Sequence, residues 1–329
     1  MKNFDSPEFG DYKLNSTFEL PVAVESAFPI FDVLGDGRII STDGRWVYVE
    51  TDRGSSSFSP LKNLDNNYSA YIRVSPSGNK VAVDKSGTVV IFDVQTPDQE
   101  LVYSLGGGFE AEWSDPVRLA ITGATDGVMI LDTNTGDKKI VIRNIGGLPG
   151  GVTFDHNQTL FCGNGGDQQV GGSQTGWIKA FSKTAWEQAI VSNTPIDFEQ
   201  NGVLVADLLS SAYLGFDKYG NMYVGGGVAF GTSGDVGGSG EPSTPDRGYA
   251  SMISAEALYQ SLSDGVPVTR DSPPNKLHQF DPDSAPDSWY FLNANKVTGE
   301  FYLKLYSEKI TSVYDSYALL VKRKRPSSR

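Results

Sequence analysis

The sequence predicts an all-β fold: a six-bladed β-propeller of four-stranded antiparallel blades, closed by an N-terminal strand, with two short helices inserted in blades four and five. Three observations carry this. A strand–turn–strand pattern recurs five times between residues 31 and 224. Its early copies are evenly spaced, Gly37 to Gly78 being 41 residues and Gly87 to Gly127 being 40. The 37 glycines and 11% aromatic residues suit many short strands joined by tight turns. A unit of this size cannot bury both faces of its sheet alone, so neighbours must stack on it.

The first strands of the five units read Phe31-Asp32-Val33, Ile72-Arg73-Val74, Ala111-Glu112-Trp113, Val152-Thr153-Phe154 and Leu214-Gly215-Phe216, each with a turn and a second alternating run behind it. Third strands begin at Arg45, Gly87, Gly127, Gly176 and Gly248, and a fourth follows a turn such as Asn134-Thr135-Gly136-Asp137. Blades four and five are swollen. Each gains a Gly-rich loop before its third strand, residues 163–176 and 225–248, and a helical run after it, residues 183–190 and 255–262. Ser182 and Ser254 stand where N-caps belong, so these two blades read as a duplicated pair.

A sixth, degenerate blade is visible in residues 288–292, 300–305 and 317–321, and it lacks a fourth strand. Residues 17–24, Thr17-Phe18-Glu19-Leu20-Pro21-Val22-Ala23-Val24, form a spare strand and are expected to supply it, leaving 1–16 as an arm and 323–329 as a basic tail. Closure removes the open edges that would otherwise template aggregation, and Pro21 suits an outermost strand. The whole chain is expected to be one domain.

Composition narrows the partners. A formal net charge of -13 with pI near 4.6 argues against nucleic acid, the basic cluster Lys322-Arg323-Lys324-Arg325 being the sole exception. No apolar run approaches the about 18 residues of a membrane helix, so no membrane insertion is expected. Residues 1–12 carry no apolar signal-peptide core, which fits a cytoplasmic, a virion-associated or a mature secreted protein. Cys162 stands alone, so there is neither a disulfide framework nor a thiolate metal cluster.

The run Phe216-Asp217-Lys218-Tyr219-Gly220-Asn221-Met222-Tyr223-Val224 resembles the repeat of NHL and gluconolactonase-type six-bladed propellers, and Phe154 to Leu160 is a looser copy. Blade two, with Ser75-Pro76-Ser77-Gly78-Asn79, is similar to WD-repeat and YVTN-type units. The resemblance implies the fold. Its families include lactonases with a divalent cation in the central channel and scaffolds without chemistry.

Chemistry-bearing residues are few. His156 and His278 have no His or Cys at ligand spacing, and no nucleophile elbow or Walker loop appears. First strands line a propeller's channel, so Asp32, Arg73 and Glu112 should lie near one another, with Arg73 pairing to one of the two carboxylates. That network reads either as a channel site or as a salt bridge registering the blades. The two Gly-rich loops should emerge side by side on one face. Asn164, Asp167, Trp177, Asp235 and Tyr249 are their candidate binding residues, since Asp and Asn offer hard oxygen ligands and glycine permits close backbone approach. Calcium on Asp167 and Asp235, a polar surface for a protein or carbohydrate, and a plain insertion are the three readings of these loops.

The function expected is that of a non-enzymatic binding or scaffold propeller, in a cell-surface or virion setting among others, with no cofactor or with Ca2+. The alternative is a gluconolactonase-like, metal-dependent hydrolase with its cation in the channel.

Overall fold

A computed structural model describes residues 12–23, 29–146, 149–164, 176–208, 210–226, 249–273, 275–280, 290–305 and 309–316. Its strands form six sheets arranged as the blades of a propeller. Blade one runs from β2 (Ile30–Val33) to β5 (Phe58–Asn63), and blade two from β6 (Ile72–Val74) to β9 (Thr96–Ser104). Blade three runs from β10 (Glu110–Trp113) to β13 (Lys138–Arg143). Blade four comprises β14 (Pro149–Phe154), β15 (Leu160–Asn164), β16 (Gly176–Phe181) and β18 (Val203–Leu208). Blade five comprises β19 (Tyr213–Phe216), β20 (Met222–Gly226), β21 (Tyr249–Ile253) and β23 (Leu277–Gln279). Blade six comprises β24 (Tyr290–Ala294), β25 (Phe301–Leu305) and β26 (Ile310–Ser316), completed by β1 (Tyr12–Glu19).

The cores lie between blades, because alternate residues of a strand face opposite neighbours. Ala111 and Trp113 pack on Tyr71, Ala82 and Ile91 of blade two. Val152, Leu160 and Cys162 pack on Ala120, Val128 and Ile130 of blade three. The Cys162 thiol is fully buried there, and burial pushes its pKa up, as befits an inert core thiol.

Two helices, α1 (Lys183–Ser192) and α2 (Ala255–Asp264), succeed the third strands of blades four and five. Ser182 and Ser254 accept from the backbone N–H of Ala185 and Ala257, and so serve as the N-caps the sequence indicates. The chain beyond each helix does something the sequence does not signal. A two-residue strand, β17 (Ile196–Asp197) or β22 (Val268–Thr269), adds in parallel to the outer edge of the preceding blade. Ile142 pairs with Ile196 on blade three, and Ala206 pairs with Val268 on blade four. Blades three and four are thereby five-stranded, each held at its rim by the next one.

Ring closure differs from the expected strand 17–24. The strand spans Tyr12–Glu19 and pairs antiparallel with β26, Thr17 opposite Ser312 and Tyr12 opposite Ser316, with an irregularity between Leu14 and Ser16. The ladder's last bond runs from the Leu20 N–H to the Lys309 carbonyl, and Pro21 has no N–H with which to continue. Aromatic anchors set the register instead of the Val22–Val24 run. Tyr12 packs on Phe280 and Phe301, and Phe18 on Phe31, Phe58 and Tyr302. The third strand of blade six is described at Ile310–Ser316; residues 317–321, where the sequence suggests it, lie outside the described residues.

Candidate functional site

The innermost strands of five blades each bring one polar residue to an equivalent position around the central channel. Blade one contributes Asp32, blade two Arg73, blade three Glu112, blade four Thr153 and blade six Asn293. Blade five has Gly215 there, and the phenol of Tyr223 crosses it from the second strand, where Tyr223 pairs with Gly215. A Cβ at position 215 would overlap the Tyr223 ring. The Tyr223 hydroxyl donates to Asn293 Oδ1 at 3.3 Å.

Most of these groups latch a blade to the next. Asn293 Nδ2 donates to the Phe31 carbonyl and to Asp32 Oδ1, both at 3.1 Å. Asp32 Oδ2 accepts from the Val74 N–H at 2.7 Å. Arg73 Nε donates to the Ala111 carbonyl at 2.9 Å, and Trp113 Nε1 donates back to the Arg73 carbonyl at 3.2 Å. Arg73 was expected to pair with Asp32 or Glu112; its ion pair is with Glu110, at 2.7 Å, both side chains being buried. Glu110 and Glu112 lie on the same face of β10, and Glu110 sits where the extended guanidinium ends. Asp32 and Glu112 act on Arg73 only through space.

Charge states reflect this geometry. Burial disfavours the Arg73 cation, yet Glu110 and then Asp32 more than offset this and lift its pKa above the usual value. Burial pushes Glu110 up to about 7, against the pull of Arg73. Removal from water also raises Glu112, with Lys296 and Arg73 opposing. At the channel end where the innermost strands begin, Phe109 of blade three stacks on Tyr213 of blade five, centroids 5.9 Å apart. These blades are not neighbours, so the two rings meet inside the channel. Tyr213 also meets Phe291, and Phe291 meets Phe31, at 5.1 and 5.2 Å. Together the rings form one aromatic cluster.

The described residues that flank the Gly-rich insertions of blades four and five meet a buried dipeptide, Ser210-Ser211, between β18 and β19. Ser211 Oγ donates to the Asn164 carbonyl at 2.5 Å and lies 3.4 Å from the Trp177 carbonyl, at the two ends of the first loop. Ser210 fills the space beside Gly226, where the second loop begins, and a Cβ there would strike its hydroxyl. The roots of both loops therefore sit on either side of one short segment. Asn164 is buried, with its Nδ2 3.5 Å from the Gly146 carbonyl. Trp177 is half-buried against the core between blades three and four. The Tyr249 backbone pairs with Gly226, while its side chain, Asp167 and Asp235 lie outside the described residues.

Among the described residues, no three His, Cys, Asp or Glu side chains converge as a metal-binding group. His156 Nδ1 lies 3.3 Å from the Tyr259 hydroxyl, which donates to Asp155 Oδ2 at 3.0 Å and ties α2 to a blade-four turn. His278 packs on Phe280, and burial lowers its pKa. No helix among the described residues is long and apolar enough to cross a membrane.

Glu110, Tyr223, Asn293 and the Ser210-Ser211 segment escape a reading of the sequence alone. One signal is present: a glycine at the channel position of blade five, opposite a tyrosine on the next strand.

Solved structures share the fold. The chain is similar to the PQQ domain of pyranose dehydrogenase from Coprinopsis cinerea, with a TM-score of 0.60 and 11% identity over 92% of this chain and 97% of that one. A Trichoderma reesei enzyme of carbohydrate-active family AA12 matches with a TM-score of 0.58 and 12% identity, covering 93% and 95%. A chain of the mitotic checkpoint complex matches with a TM-score of 0.55 and 15% identity, covering 95% and 94%. No family model and no curated protein sequence matches the chain.

Proposed function

We propose that this propeller acts by binding, and that it contacts a protein or carbohydrate partner through the face on which the strand-two-to-three loops of blades four and five emerge. One observation supports the reading: the roots of both loops meet the buried segment Ser210-Ser211, Asn164 and Trp177 through the Ser211 hydroxyl and Gly226 by close contact with Ser210. Two long Gly-rich insertions are thus rooted together on a rigid base, the arrangement by which loops on a scaffold form one contact surface. The channel gives less support to catalysis, since Asp32, Arg73 and Asn293 are engaged in holding blades together. The structural neighbours fall on both sides, two of them carbohydrate-related and one from a protein assembly. Both partner classes therefore belong in the test.

The test replaces residues 165–175 and 227–248 with short turns. The variant should keep the melting behaviour of the parent and lose its signal on a glycan array or in cross-linking to a protein partner. The competing reading is a metal-dependent hydrolase. Turnover of a lactone or ester that requires a divalent ion, and that Asp32→Asn or Glu112→Gln eliminates, would replace the binding assignment.

A further inference from the structure

The junction of blades two and three holds a group that binding on the loop face does not use. Arg73 of β6 faces three carboxyls: Glu110 in contact, and Asp32 of β2 and Glu112 of β10 at longer range. The Tyr223 hydroxyl of β20 lies in the same field, Tyr71 of blade two is near both Glu110 and Asp84, and Lys296, in the turn after β24, acts on Glu112.

Geometry gives the three carboxyls unequal standing. Asp32 accepts N–H bonds on both oxygens, from Val33 and Asn293 on one and from Val74 on the other. Glu112 Oε1 accepts from the Trp113 N–H, and the residue is half-buried. Glu110 is fully buried. Its Oε1 meets Arg73 Nη2 and the Ala111 N–H, at 2.7 and 2.9 Å. Its Oε2 has no hydrogen-bond partner among the described residues, and neither has the nearby buried Tyr71 hydroxyl. An ionised carboxylate with one bare oxygen in a dry site is far costlier than the neutral acid. One guanidinium also cannot neutralise three carboxylates.

We propose that Glu110 is a proton-binding site, carried as the neutral acid in the folded protein, and that its contact with Arg73 is a proton-linked latch between blades two and three. Neutral Glu110 still accepts the Arg73 hydrogen bond on Oε1, and its acid proton removes the bare charge at Oε2. Burial raises this carboxyl from 4.5 to about 7, with Arg73 and the Ala111 N–H opposing and Glu112 and Asp32 adding to the rise. The folded state thus holds the more protons between these values. Proton binding by the desolvated Glu110 therefore adds stability that is complete below the unfolded value and is lost as pH rises through about 7, while the Arg73 contact itself favours the ionised form.

Infrared difference spectroscopy of the full chain tests this. A buried carboxylic-acid C=O stretch should be present at pH 6, fade towards pH 8 and be missing in Glu110→Gln. That variant should also flatten the fall in melting temperature across the same interval. Absence of the band at pH 6, or its persistence in Glu110→Gln, would overturn the proposal. If Glu110→Gln does not fold, carbon-13 titration of Glu-labelled parent protein decides. A glutamate Cδ midpoint near neutrality that survives in Glu112→Gln supports the latch, and none above the ordinary carboxylate range sinks it.

Discussion

Tyr223 lies across Gly215 and places its hydroxyl 3.3 Å from Asn293 Oδ1, so blade five supplies its channel group from the second strand and not the first. Any side chain at 215 competes with that ring for the same space. Gly215→Ala should therefore destabilise by about 1–3 kcal/mol, the usual cost of overpacking a close-packed interior. Combining it with Tyr223→Ala should cost less than the sum of the two single changes, because the overlap is then gone. Additive losses in urea unfolding would show that the ring and the glycine do not compete.

Arg73 holds Glu110 together with the carbonyls of Ala111 and Ile72. Removing it by Arg73→Ala takes the cation from beside Glu110 and should cost about 3–5 kcal/mol at pH 8, where Glu110 is ionised, and less at pH 6. Arg73→Lys should recover only part of this, since an ammonium cannot reproduce the fork that serves three acceptors. A full recovery by lysine, or an unchanged urea midpoint for alanine, would show that the channel charges are hydrated.

The closing strand joins the two ends of the ring. Its Tyr12 hydroxyl reaches Asp217 of blade five at 3.4 Å, so β1 fastens blade six and blade five together. Deleting residues 1–19 exposes the β26 edge and removes the Tyr12 and Phe18 anchors. The truncated chain should lose its single cooperative unfolding transition and self-associate, as checked by calorimetry and light scattering. A monomer with one sharp transition would contradict this role for the strand.

The two helix caps provide an additivity test of the duplicated blades. Ser182→Ala and Ser254→Ala each remove the acceptor for one N–H of the first turn. About 0.5–2 kcal/mol is expected for each. The helices pack on different blades, so the double variant should equal the sum to within about 0.5 kcal/mol. A markedly non-additive result would mean that the two insertions are coupled.

The blade repeat, the helix caps at Ser182 and Ser254 and closure by an N-terminal strand were legible in the sequence because each rests on local chemistry: alternation, turn glycines and hydroxyl capping. The same reading failed where choice among similar local options depended on distant partners. Val22-Ala23-Val24 looks as strand-like as Tyr12-Lys13-Leu14, but Pro21 lacks the N–H to carry the ladder on, and Tyr12 packs on Phe280 and Phe301 at the strand's other end. Ile196-Asp197 and Val268-Thr269 are too short to signal strands and acquire that character from the edges of β13 and β18.

The channel shows the same division. Residue type and repeat position alone placed Asp32, Arg73 and Glu112 on the innermost strands. Which carboxylate Arg73 meets was decided by the length of its side chain and by the place of Glu110 along β10, two residues before Glu112 on the same face. Sequence spacing also marked two Gly-rich insertions. Their common root at Ser210-Ser211 exists only once blades four and five are stacked, because the hydrogen bond across 47 positions from Ser211 to Asn164 and the close contact of Ser210 with Gly226 are set by tertiary packing and by nothing local.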